Sequence, residues 1–77
     1  MVLSNYNYIW GPELIKKLDK LYWVDIVYQK WVHIKIRLHT NNKKAIVPDH
    51  KELTYQVFSG ILEQLNINEE KFLKEIE

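Results

Sequence analysis

Cysteine is absent from the 77 residues of this chain. No disulfide can staple the fold and no thiolate can hold a metal, so stability must come from packing alone. The absence fits a reducing compartment, and a soluble, cytoplasmic protein is the expectation. Charge of one sign is also missing. The formal net charge is +1, which gives no global pull toward nucleic acid or an anionic membrane. No apolar run approaches the roughly 18–20 residues that span a bilayer, and the start lacks a basic stretch followed by an apolar one. Repeats, linkers, low-complexity segments, glycine-rich phosphate loops and serine-nucleophile motifs are absent too. His33, His39 and His50 match no standard ligand spacing, so neither a metal nor a cofactor is expected. The carboxylates Glu69, Glu70, Glu75 and Glu77 read as a solvated helical surface and not as an acid–base pair.

What the chain does have is rings: three Trp, five Tyr and two Phe. A core of this size supplies only about 3–5 kcal/mol net, so the placement of each large apolar group matters. With 47% hydrophobic and 27% charged residues, the composition is that of one folded domain over residues 1–77. Residues 1–11 carry Tyr6, Tyr8 and Trp10 with little charge and read as an extended arm. Gly11-Pro12 then opens a helix of about ten residues, with Leu14, Ile15, Leu18 and Leu21 as its apolar stripe, ending near Leu21. Trp23 to Tyr28 is β-branched and aromatic, a strand, and Gln29-Lys30 is a polar pause. Alternation follows, with Val32, Ile34, Ile36 and Leu38 on one face. His33, Lys35, Arg37 and His39 occupy the other, which is expected to be open and cationic. After a turn at Thr40–Lys43, Ala45–Val47 forms a short third strand closed by Pro48-Asp49. Thr54 caps a second helix whose buried stripe is Val57, Phe58, Ile61, Leu62 and Leu65. Gly60 inside that helix implies close packing against the sheet. Asn68 recaps the chain into a tail helix, Glu69–Glu77, docking Phe72, Leu73 and Ile76. The expected fold is α+β, a three-stranded antiparallel sheet with helices on one face (α-β-β-β-α) and a short C-terminal helix.

That order, with certain local motifs, resembles the HicA toxin family, small mRNA interferases of bacterial toxin–antitoxin pairs with a fold like the double-stranded-RNA-binding domain. Gly11-x-Glu13-Leu14-Ile15-Lys16-x-Leu18 is similar to the family's opening helix. Gln29-Lys30-x-x-His33 is similar to the segment in which Gly-Ser-His follows the lysine. Val47-Pro48-x-His50-x-x-Leu53 fits a Val-Pro-x-His-x-x-Leu pattern. Ile61-Leu62-x-Gln64 and Glu70-x-Phe72-Leu73 are similar to the family's ending, so the resemblance covers about residues 10–73. It implies that His33 is the catalytic histidine of an mRNA-cleaving endoribonuclease. RNA cleavage needs a group of near-neutral pKa to move the 2′-hydroxyl or leaving-group proton. Lys35 and Arg37, on the same strand face, would hold phosphate, and RNA and a HicB-like antitoxin would be the partners.

The departures from the pattern are concentrated. Tyr22 stands where the family has glycine before the first-strand aromatic, Tyr28 where it has arginine, and Trp31-Val32 where it has Gly-Ser. Gln56, preceded by Tyr55, replaces a helix-starting glycine, Glu63 a lysine, and Trp10 a small polar residue. The Arg-to-Tyr and Lys-to-Glu changes shift local charge by about −3, which weakens phosphate attraction. Each change toward Tyr or Trp adds flat amphipathic area of the kind that dominates protein interfaces. The leading expectation is therefore a protein-binding module on a HicA-like scaffold, its RNA face rebuilt, a pattern closer to engineering than to drift. Its interface would comprise Tyr6, Tyr8, Trp10, Tyr22, Tyr28, Trp31, Val32 and Tyr55. The alternative is the nuclease, and a homodimer formed through the aromatic patch is a third reading.

Overall fold

The computed structural model describes residues 6, 8–49 and 52–76. The chain runs α1 (Gly11–Tyr22), β1 (Val24–Lys30), β2 (His33–Leu38), β3 (Lys44–Pro48), α2 (Tyr55–Gln64) and α3 (Glu69–Glu75). The strands form one antiparallel sheet in the order β1-β2-β3. This is the α+β arrangement expected from the alternation and stripe patterns. The apolar parity of β2 puts Ile34, Ile36 and Leu38 under the helices, joined by Ala45 and Val47 of β3. Leu14 and Leu18 of α1, Phe58, Ile61 and Leu62 of α2, and Phe72 and Leu73 of α3 close over them. Sixteen hydrophobic side chains are buried among the described residues, and no polar one is.

The helix ends follow local chemistry. Thr54 and Asn68 cap α2 and α3 by accepting from the amides of Val57 and Lys71 at 3.3 and 2.9 Å. Pro12 sits in the first turn of α1, where its missing N–H costs nothing. Gly11 is buried at the helix start, and a Cβ there would overlap the carbonyl oxygen of Pro48. Only glycine lets α1 lie this close to the end of β3.

Several sequence expectations need correction. Gln29-Lys30 does not interrupt the strand, and β1 runs through both residues to a two-residue turn at Trp31-Val32. Val32 is therefore a turn residue, 43% exposed, and not part of the buried alternation of β2. Val57 faces solvent at 40% exposure, outside the buried stripe of α2. Gly60 has nothing within 4 Å of where a Cβ would stand, so close packing does not account for it. The arm is tied down where it is described. Trp10 forms an antiparallel bridge with Glu52, the Leu53 amide donates to the Ile9 carbonyl at 2.9 Å, and Ile9 is buried.

Candidate functional site: the open sheet face and its free edge

Cross-strand pairing defines the face opposite the helices. Asp25 stands across from Arg37, Tyr28 from Lys35 and Lys30 from His33. On the other side of β2, Lys44 is paired with Arg37, Ile46 with Lys35 and Pro48 with His33. The register of β1 shifts between Ile26 and Tyr28, so Val27 is an extra residue. That bulge swaps the parity of the strand's second half and brings Tyr28 and Lys30 onto the open face. Without it Gln29 would stand there instead.

His33, Lys35 and Arg37 share this face, as strand alternation predicts. Their chemistry differs from a bare phosphate cradle. Arg37 donates to Asp25 Oδ2 at 2.9 Å, and His39 Nε2 lies 2.8 Å from the same oxygen. The bond from Arg37, then that from His39, holds the Asp25 carboxyl below its ordinary range. Arg37 is thus committed to a carboxylate and not held free for phosphate. The Lys35 ammonium lies 5.9 Å from the centre of the Tyr28 ring, and Lys30 lies 5.6 Å from that of Trp31.

The expected aromatic interface divides into three groups. Tyr6 does not belong to a surface. Its ring is 7% exposed, 4.4 Å from Phe58 between centroids, and its hydroxyl donates to the Leu53 carbonyl at 2.6 Å. Burial is the main reason its phenol is raised above the usual 10.0. Tyr22 and Tyr55 are half-buried against the core. Tyr55 donates to Glu69 at 2.6 Å, tying the starts of α2 and α3 together, and that bond is the main cause of its raised pKa. Burial first, then Glu75, raises Tyr22. Tyr8 and Trp10 are exposed on the arm, which adjoins Gly11 and the β3 end of the sheet. Tyr28, Trp31 and Val32 are exposed along β1 and its turn.

Sequence reasoning missed the rest of this last group. Trp23 is 70% exposed, and Ile26 and Val27 stand open on β1, as Ile46 does on β3. Alternation counts every strand apolar as a core candidate, whereas an edge strand with a bulge leaves some outside the helical cover. Backbone geometry adds a second signal. Trp23 and Trp31 have φ of 60° and 56°, the left-handed region that favours glycine. Trp23 closes α1, its amide bonded to the Asp19 carbonyl at 3.0 Å. Trp31 is the first central residue of the β1–β2 hairpin turn, a position hairpins commonly give to glycine or asparagine. At 83% and 70%, Trp31 and Trp23 are the two most exposed large hydrophobics among the described residues.

His50, part of the Val-Pro-x-His motif, lies outside the described residues. Among those described, no three His, Cys, Asp or Glu side chains are gathered as a metal would need, and no helix is long and apolar enough to cross a membrane. No protein-family model matches the chain, and no curated protein matches it in sequence. The likeness to HicA toxins rests on the motifs alone.

Proposed function

We propose that this chain is a protein-binding module whose contact surface is the outer edge of its sheet, with Trp23 and Trp31 at the two ends of β1 and Tyr28 between them. One observation carries the reading: both tryptophans occupy backbone that favours glycine while their rings stand in solvent. A left-handed conformation costs a non-glycine residue on the order of 1–2 kcal/mol, and neither ring recovers that cost by burial within the chain. Contact with a partner supplies the missing burial. The pairing of ring and cation at Lys30 and Lys35 fits a polar rim around such a contact. On this reading the HicA-like scaffold is one whose RNA face has been rebuilt, in the manner of an engineered interface.

The test is partner capture by the tagged chain, repeated with Trp31→Ala and Trp23→Ala. A genuine partner titrated against the alanine variants should bind at least about 30-fold more weakly, the loss of about 2 kcal/mol typical of a hot spot. Equal affinity for wild type and both variants would refute the assignment.

A second reading is a HicA-type mRNA-cleaving endoribonuclease using His33. It is favoured by the placement of His33 across from Lys30 and two residues from Lys35 on one face. Expression should then arrest growth and cleave mRNA, and His33→Ala should abolish both. Harmless expression with intact mRNA would exclude it. Against this reading stand Asp25, which claims Arg37, and Trp31, which occupies the turn next to His33.

A further inference from the structure

β1 is an edge strand of seven residues with β2 on one side only. Among the described residues, no backbone hydrogen bond of residues 25–30 goes anywhere but to β2. Edges of this kind invite another strand, and proteins commonly block them with proline, inward charge or short length. β1 has none of these, and its devices against pairing are limited to the bulge and to one charge near each end, Asp25 and Lys30. Its one irregularity is the bulge at Val27, and Ile26, Val27 and Tyr28 are 55%, 45% and 44% exposed.

We propose that the occupant of this edge is β1 of a second copy, paired antiparallel across a two-fold axis to make a continuous six-stranded sheet. The proposal rests on reading this edge as a protein-contact surface, and it names the partner. The strand is self-complementary once the bulge is counted. Val24, Ile26 and Gln29 point toward the helical face, and Asp25, Tyr28 and Lys30 toward the open face. Cross-strand neighbours must share a face. Pairing Asp25 with Lys30 and Ile26 with Gln29 meets that condition, and it centres the two-fold axis between Val27 and Tyr28. A slip of one residue sets Ile26 against Tyr28 and Asp25 against Gln29, on opposite faces. A slip of two in the direction that keeps the faces matched sets Asp25 against Tyr28 and leaves Lys30 opposite Trp23.

Charge selects the first register. Two-fold symmetry forms the Asp25–Lys30 contact twice. Arg37 and His39 both approach Asp25 through Oδ2, which leaves Oδ1 to accept from an arriving ammonium. Lys30 has no carboxylate partner among the described residues. The same register sets Trp31 beside Val24 of the other copy and Trp23 beside its Val32, so rings close both ends of the joint. Two such tryptophans bring on the order of 300–400 Å² per copy, about half of the roughly 800 Å² per partner of a stable interface. Ile26, Val27, Tyr28, Val32 and the strand backbone supply the remainder.

The full chain is measured by sedimentation velocity from micromolar to millimolar concentration, with circular dichroism confirming the fold of each variant. The wild type should dimerise. Lys30→Asp and Asp25→Lys should each weaken self-association at least about tenfold, because each sets like charges opposite one another. An equal mixture of the two should regain it, every contact then being opposite in sign. Because Asp25→Lys also disturbs Arg37 and His39, a second experiment avoids it. The chain has no cysteine, so oxidising a mixture of Ile26→Cys and Gln29→Cys should link the two variants, with little linkage of either alone. A wild type monomeric to millimolar concentration, or cysteine pairs that link no better mixed than alone, overturns the proposal. The module reading fails separately, through partner affinity indifferent to Trp31 and Trp23.

Discussion

Trp31 offers a test in which one side chain is asked two questions at once. Its φ of 56° imposes about 1–2 kcal/mol on any residue with a Cβ, and its ring, 83% exposed, recovers little by burial. Its one intramolecular contact of note is the Lys30 ammonium, a cation–π pair worth about 0.5 kcal/mol at an exposed site. Trp31→Ala loses that contact and keeps the strain, so stability should change by no more than about 0.5 kcal/mol. Trp31→Gly loses the same contact and relieves the strain, offset by about 0.4–1 kcal/mol of extra unfolded-chain entropy. Glycine should therefore exceed alanine by about 0.5–1 kcal/mol, a melting-temperature difference of several degrees in a domain this small. Urea denaturation at matched m-values reads this directly. Partner binding should fall in both variants. Glycine no better than alanine, or both variants destabilised by more than about 1 kcal/mol, would show that the ring packs in the fold and that the strain argument is wrong.

The two glycines should respond to alanine with opposite signs. Gly11→Ala drives a methyl into the Pro48 carbonyl and should cost about 2–3 kcal/mol by denaturant titration, with α1 displaced from β3. Gly60→Ala meets open space inside a helix and should gain about 0.5–1 kcal/mol; a loss would mean an unrecognised contact. Alkali should destabilise the protein. Tyr6, Tyr22 and Tyr55 all have pKa values raised above 10.0, so below that pH folded and unfolded chains both hold the proton. Above it the unfolded chain ionises first and stability falls, lost fully as pH passes the folded values. Tyr6→Phe should shrink this alkaline loss in pH-dependent thermal melts. Asp25 acts in the opposite sense, with its lowered pKa favouring the fold above the usual 3.8 and that benefit disappearing as acid passes the folded value.

Most of the helical stripes and the central strand are legible from period alone, which fails only at Val57 on the flank of α2 and at Val32, where a turn takes the place of strand. Ile34, Ile36 and Leu38 had to share a face, and Thr54 and Asn68 had to cap, whatever else the chain did. β1 was harder. Its bulge breaks the two-residue period, and its edge position leaves apolar residues uncovered that would be core in a central strand. Tyr6 escapes local reading for the converse reason. Nothing local shows which ring of an apolar, uncharged arm turns inward, and groups distant in the chain, the Leu53 carbonyl and the Phe58 ring, make the burial of Tyr6 favourable. Parity alone puts His33, Lys35 and Arg37 on one face. The neutralising role of Asp25 lay on another strand and depended on register.

Positive φ recurs at five non-glycine residues among those described: Tyr8, Trp23, Trp31, Asn42 and Asn66. Asparagine visits this region at small cost because its short polar side chain can bond locally, as Asn41 next to Asn42 does in accepting from the Lys43 amide at 2.9 Å. Asn42 and Asn66 therefore follow ordinary turn chemistry. The tryptophan side chains make no such backbone bond, and their rings gain only weak surface contacts, Trp31 with Lys30 and Trp23 edge-on with His39. Two such residues together cost about 2–4 kcal/mol, comparable with the whole net stability of a domain this size. A chain under selection for folding alone, by nature or by a designer, would set glycine at both positions. If that edge is a contact surface, as we propose, the free energy that offsets two solvent-exposed tryptophans of positive φ comes from outside the single chain, from whatever covers the strand between them.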